Sequence, residues 1–219
     1  PVWDTGLAAH AMLEAGFKAG DPVLDKASKW LVGRQILDVA GDWAEKAPGV
    51  RPGGWAFQYW NDHYPDVDDT AVVVMALHRT DAEKYKIAID RGIEWVIGMQ
   101  SRNGGWGAFD VDNDYDVLQH IPFADHGALL DPPTADVSAR CLGMLAQVGY
   151  TTAEPAVARA IEYLRREQEE DGSWFGRWGV NYVYGTGSVL PALRAIGIGP
   201  DDERVQLAAQ WMVDHQNSD

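Results

Sequence analysis

Cysteine is nearly missing from this chain. Cys141 stands alone, which excludes an internal disulfide framework and any zinc site built on thiolates. Basic residues are scarce as well: 18 Lys and Arg face 33 Asp and Glu, a formal net charge of −15. That sign argues against a nucleic-acid partner, because phosphate backbones call for clustered Lys and Arg. Long apolar runs are missing too. The longest, Ala71 to Leu77, falls far short of the roughly 20 residues of a membrane-crossing helix, and no secretory signal pattern opens the chain. His63, His120 and His126 lack metal-ligand spacing, and the chain has no His-Glu-x-x-His, no Gly-x-Ser-x-Gly elbow and no phosphate-cradling loop. No cofactor is expected. What is left, in 219 residues and 24.1 kDa, is material for one domain or an incomplete part of one. Its abundant residue is tryptophan, ten against five phenylalanines.

The tryptophans fall in a repeat. Trp30-x4-Gln35, Trp95-x4-Gln100, Tyr163-x4-Gln168 and Trp211-x4-Gln216 share one pattern. A Gly-x-Trp turn follows the first three, read as Gly41-Asp42-Trp43, Gly104-Gly105-Trp106 and Gly172-Ser173-Trp174. An aromatic and a glutamine five apart lie near one another on a helix face, where the amide can cap a backbone end or bond a neighbouring helix. The repeat therefore reads as a structural staple. A second phrase precedes each one: Asp4-Thr5-Gly6, Asp69-Thr70-Ala71, Asp136-Val137-Ser138 and Gly185-Thr186-Gly187 each open an apolar run. Three of these runs close at Gly16, Gly149 and Gly197, so the aspartates read as N-caps and the glycines as C-caps.

Helical periodicity over 5–15, 69–77, 135–148 and 187–196, paired with the aromatic–glutamine helices, predicts four antiparallel helix hairpins of roughly 50 to 70 residues each. The fold class expected is all-α, an α/α barrel (toroid) of hairpins. Six hairpins would complete such a ring, so residues 1–219 are expected to form one partial domain, truncated at both ends and without an internal boundary. Two connections, 36–67 and 101–134, are too long for plain turns and are rich in aromatics and glycine. Function is expected there.

One phrase carries more acid than capping requires. Pro65-Asp66-Val67-Asp68-Asp69-Thr70-Ala71 places three carboxylates in four residues at a helix start. Capping by Asp69, with the helix dipole favouring the others, accounts for one aspartate and loosely for a second. A third adds like-charge repulsion. Asp110, Asp112, Asp114 and Asp116 look like calcium ligands, but Tyr115 stands where the loop needs glycine and no glutamate closes it. Carboxylates crowded without a metal raise one another's pKa until one keeps its proton, which is the chemistry of a general acid.

With these residues in view, the chain resembles the squalene–hopene cyclases, bacterial class II triterpene cyclases. Asp66-Val67-Asp68-Asp69-Thr70-Ala71 is similar to their protonating motif, and the aromatic–glutamine phrases are similar to their QW repeats. Further matches run in order along the chain: Pro1-Val2-Trp3-Asp4-Thr5-Gly6, Gly53-Gly54-Trp55-Ala56-Phe57, Asn103 to Ala108, Asp131-Pro132-Pro133 and Trp174 to Gly187. The resemblance implies about a third of a family-length protein, from the domain that holds the acid.

It also implies roles. Asp68 would protonate a terminal alkene of squalene, with Asp66 and Asp69 orienting it and sharing the charge left behind. Asp136 and Arg140, one helical turn apart, would supply a cationic partner; arginine stands where the family commonly has histidine. Trp3, Phe57, Phe109, Trp178 and Tyr184 would line the substrate pocket, Phe109 at a position where the family often carries tyrosine. The product implied is hopene, with hopanol by water capture. The partners implied are squalene and a membrane surface, with a homodimer as an option and the cytoplasmic face of a bacterial membrane as the location. A class II diterpene cyclase, which needs magnesium and basic phosphate contacts, and an oxidosqualene cyclase, whose motif normally lacks the first aspartate, are the nearby alternatives. A toroidal glycosidase and a purely structural helical solenoid stand further off.

Overall fold

A computed structural model describes residues 1–115 and 130–218. The described residues form helices and loops, with two isolated antiparallel bridges, Trp55 to Asp66 and Asn113 to Asp131. The chain divides into two compact units, Pro1–Met99 with Ala108–Val111, and Gln100–Gly107 with Asp112–Asp219.

The first unit holds α1 (Val2–Glu14), α2 (Pro22–Val32), the single turn α3 (Trp43–Lys46), α4 (Val67–Asp81) and α5 (Lys86–Gly98). Helices α1 and α2 pack as one hairpin, α4 and α5 as a second, and α1 lies against α4. Helix α4 is buried over most of its surface, which explains its unbroken apolar run. Gly6 of α1 faces Val72 and Val73 of α4 so closely that a Cβ there would sit 3.0 Å from the Val72 side chain. The second unit holds α6 (Ala135–Gln147), α7 (Pro155–Arg166), α8 (Asn181–Ala195) and α9 (Glu203–Asp214), paired α6 with α7 and α8 with α9, with α6 against α8. Helix α7 shows why pattern sufficed here: Val157, Ala160, Ile161 and Leu164 are buried, while Arg159, Glu162 and Arg165 face solvent. Among the described residues four hairpins are thus present, as the repeat predicts.

The expected C-caps are found. Gly16, Gly149 and Gly197 have φ of 94°, 96° and 90°, and the amides of Phe17, Tyr150 and Ile198 reach back to the carbonyls of Met12, Leu145 and Leu193, the closure that a left-handed glycine allows. The expected N-caps are displaced. Asp4, Asp69 and Asp136 lie inside their helices, whose caps are Pro1, Asp66 and Thr134. Asp202 caps α9, accepting from the amides of Arg204 and Val205.

The glutamine staple has one geometry used three times. Gln35 Nε2 donates to the carbonyls of Gly53 (2.8 Å) and Ala88 (2.9 Å). Gln100 donates to Gly104 (2.8 Å) and Ala156 (2.9 Å), and Gln168 to Gly172 (2.9 Å) and Arg204 (3.0 Å). Each amide thereby ties a glycine turn to the first turn of α5, α7 or α9, the second helix of a hairpin and the outer one in the toroid expected from the sequence. The first turn is therefore Gly53-Gly54-Trp55, a correction to Gly41-Asp42-Trp43. Trp43 instead meets Trp95 edge-to-face at 5.8 Å between ring centroids.

A hydroxyl completes each staple. The backbone N–H of Trp55 donates to Thr70 Oγ1, that of Trp106 to Ser138 Oγ and that of Trp174 to Thr186 Oγ1, all at 2.9 Å. These tryptophans are buried, so an unmet N–H would cost about 1–3 kcal/mol.

Candidate active site

The acidic phrase sits where α4 leaves the loop before it. Asp66 N donates to the Trp55 carbonyl at 2.8 Å and Val67 N to the Ala108 carbonyl at 2.7 Å. The Thr70 hydroxyl, which accepts from Trp55, donates to the Asp66 carbonyl at 2.6 Å. Trp55 is itself anchored through its indole N–H on the Leu31 carbonyl at 2.7 Å. The backbone of the first aspartate is therefore tied to the buried core of its unit.

The Asp66 side chain caps the helix: Oδ1 accepts from the amides of Asp68 (2.7 Å) and Asp69 (3.1 Å). Asp69, the cap expected from sequence, lies instead inside the first turn and is buried, 2% exposed, beside Asp66 at 8%, while Asp68 is half-buried. Burial, with the charges of Asp69 and then Asp68 beside it, pushes the Asp66 carboxyl well above the usual carboxylate range, against the opposing pull of the two amides it caps. Three carboxyls this close titrate as a set, so the retained proton belongs to the trio. The same helix end stabilises the anion formed when that proton leaves, since the positive end of the helix dipole and the capped amides point at it. Burial holds the proton and the fixed dipoles of the helix end receive the conjugate base, the two properties of an internal acid that stays protonated until it reacts. Among the described residues no group of three or more His, Cys, Asp or Glu is arranged to hold a metal ion. Asp112 is turned onto Arg102, accepting from its amide (2.9 Å) and its Nε (2.8 Å), and Asp116 lies outside the described residues, as do His120 and His126.

Three of the expected aromatics belong to this unit. Trp3 is half-buried on α1, Phe109 is half-buried in the segment after the second glycine turn, and Phe57 is 47% exposed just beyond Trp55.

In the second unit the structure gathers the other four expected residues. Asp136 and Arg140 stand one turn apart on α6. Asp136 is buried, 1% exposed, and its Oδ2 accepts from the backbone N–H of Trp178 at 2.9 Å. Arg140 donates through a terminal guanidinium nitrogen to the Tyr184 hydroxyl at 3.1 Å. Trp178 is half exposed, with the Arg177 guanidinium 5.5 Å from its ring centroid. Sequence reasoning passed over Arg177, which donates to the Leu130 carbonyl at 2.9 Å. It also passed over the role of Thr70, Ser138 and Thr186, although all three lie within the phrases it singled out.

These observations describe an acid-bearing helix end and a set of aromatic residues carried on a repeat of helix hairpins. The family profile for the squalene-hopene cyclase C-terminal domain matches residues 1–219. The chain belongs to the squalene-hopene cyclase family. A squalene–hopene cyclase of Zymomonas mobilis subsp. mobilis is 57% identical over 227 residues, covering 100% of this chain and 34% of that protein. One from Schizosaccharomyces japonicus is 58% identical over 205 residues, covering 90% of this chain and 31% of that protein. The chain therefore spans about a third of the length of these squalene–hopene cyclases. Among solved structures, the type II terpene cyclase MstE from Scytonema superposes with a TM-score of 0.68 at 20% identity, over 99% of this chain and 55% of that one. At that identity the likeness concerns the fold, which it places in the α/α-barrel class of these cyclases.

Proposed function

We propose that the full-length enzyme carrying this segment is a squalene–hopene cyclase, an isomerase that starts a carbocationic polycyclisation by protonating squalene. The observation that carries the reading is the trio Asp66, Asp68 and Asp69 at the N-terminus of α4, where burial holds a proton and the helix end stabilises the anion left behind. Asp68 is the donor in this reading: it is the least buried of the three, while Asp66 is committed to the cap and Asp69 is enclosed. The family's own name and the identities to its members support squalene as the substrate.

An isolated alkene is a very weak base, so the acid must still hold its proton when the substrate arrives; the burial and neighbouring carboxyls that raise Asp66 support that demand. The cation then moves along the folding chain without a counter-ion. Aromatic faces stabilise such a charge by about 0.5–2 kcal/mol each, and Trp3, Phe57, Phe109, Trp178 and Tyr184 are the faces we assign to it. Loss of a proton ends the sequence as hopene, and capture of water ends it as hopanol. Squalene partitions into lipid, so we place the enzyme as a peripheral protein on the cytoplasmic face of a bacterial membrane. No helix among the described residues is long and apolar enough to cross one.

Squalene incubated with the full-length enzyme in deuterium oxide should yield hopene carrying a single solvent deuterium in its first ring. Hopene free of solvent deuterium would contradict initiation by an exchangeable acid.

A further inference from the structure

Asp136 makes a contact that charge pairing does not explain. It is almost fully buried on α6, yet its Oδ2 accepts from a backbone N–H forty-two positions away, that of Trp178. Oδ1 takes no hydrogen bond from the described residues. A carboxylate in such a place is costly, and a bond to one particular amide is the specific return the structure shows for it.

The segment that Asp136 grips is built to lie flat. A Cβ on Gly179 would stand 2.3 Å from the Tyr184 ring, and one on Gly176 would stand 2.8 Å from both Tyr184 and the Gly185 amide. Both glycines therefore let the backbone rest directly on the Tyr184 ring. Asn181, at φ 34°, turns the chain into α8, with its N–H on the Gly179 carbonyl (2.8 Å) and its carbonyl accepting from Gly176 (3.2 Å). Arg140 holds the far edge of the same ring by its hydroxyl. Helix α6 thus grips two aromatic residues from one face: Tyr184 through Arg140, and the backbone of Trp178 through Asp136. Arg177, the neighbour of Trp178, is fixed on the Leu130 carbonyl with its guanidinium over the indole. The Trp178 ring stands half exposed on an otherwise pinned segment.

We propose that Asp136 is a positioning residue for Trp178: it latches the amide of the 176–180 segment and so fixes where the indole face stands. This rests on the reading above in one respect, that Trp178 faces the cation. Its consequence is specificity. An indole that wanders stabilises the cation it faces poorly, so cyclisation stops there and incompletely cyclised products accumulate.

The test compares Asp136→Asn with Asp136→Ala in the full-length protein. Asparagine keeps an oxygen that accepts from the Trp178 N–H and removes the charge; alanine removes both. Hydrogen exchange at the Trp178 amide should be slow in the native protein, slow in Asp136→Asn, and faster by at least about tenfold in Asp136→Ala, as expected for an amide that loses its acceptor. Amides within α6 and α8 should stay protected. With squalene, Asp136→Ala should raise the fraction of incompletely cyclised products, and Asp136→Asn should keep the native ratio whatever its turnover. Equal exchange and equal product ratios in the two variants would overturn the latch and leave Asp136 as a charge partner only. If Asp136→Ala does not fold, the native protein decides: rapid exchange at Trp178 overturns the proposal. Exchange behaving as expected with no shift in products would sustain the latch and count against Trp178 as a face for the cation.

Discussion

Asp66 is the residue at which stability and chemistry pull in opposite directions. Its carboxyl caps α4 and is buried beside two like charges, so its folded-state pKa lies above the ordinary value. A group raised in this way contributes fully to stability below its unfolded pKa of about 3.9, and the contribution is lost as pH rises through the folded value. Asp66→Asn keeps an oxygen for the cap and cannot ionise. The variant should therefore be the more stable protein at pH 7, by about 1.4 kcal/mol for every tenfold by which folding weakens the acid, and the difference should close as pH falls towards 4. Urea unfolding at both pH values measures it; a gap independent of pH would contradict the buried-proton account. Thr70 tests the support beneath the acid. Thr70→Val removes both the acceptor for the Trp55 amide and the donor to the Asp66 carbonyl, and should cost about 1–3 kcal/mol. Thr70→Ser, which retains the hydroxyl, should recover most of that. A Thr70→Val protein as stable as the unmodified one, since valine keeps the methyl and lacks only the hydroxyl, would contradict this support.

At the scale of elements, the outer helices lie directly on the glycine turns. A Cβ on Gly105 would stand 2.7 Å from the Tyr163 ring and 2.8 Å from Pro133, so Gly105→Ala should destabilise by about 1–3 kcal/mol through overpacking. Gly143, inside α6, has room to spare: an added methyl would meet nothing nearer than the Ala192 side chain at 3.9 Å. There the alanine should stabilise by up to about 1 kcal/mol through helix propensity. Thermal unfolding of the two variants separates a glycine required by contact from one that is tolerated. Much of this architecture was legible in the sequence. The glutamine phrase marks each outer helix, and the glycines at 16, 149 and 197 mark the helix ends, because these features act over a turn or two of chain. Partner choice was harder to read. Gln35 has a Gly-x-Trp close by at Gly41 and another further on at Gly53. Only the first turn of α5, whose Ala88 carbonyl the same amide must reach, selects the second. The cap of α4 was misplaced for a related reason: three aspartates in four residues all suit an N-cap, and the bridge between Asp66 and Trp55 decides among them.

For the whole molecule, the candidate site divides by how its residues are joined. Asp66, Asp68 and Asp69 are neighbours in sequence and were found by composition and repulsion alone. The grip of Asp136 on Trp178 joins residues that no local pattern relates, and it became visible only in three dimensions. The central claim is that Asp68 delivers the proton that starts cyclisation. Its most direct measurement is the rate of hopene formation from squalene by full-length Asp68→Asn beside the unmodified enzyme, with matching thermal unfolding to show that both are folded. The account predicts a loss of at least about a hundredfold, the scale of an absent general acid, with no cyclised product taking its place. A folded Asp68→Asn protein that forms hopene at the unmodified rate would contradict it.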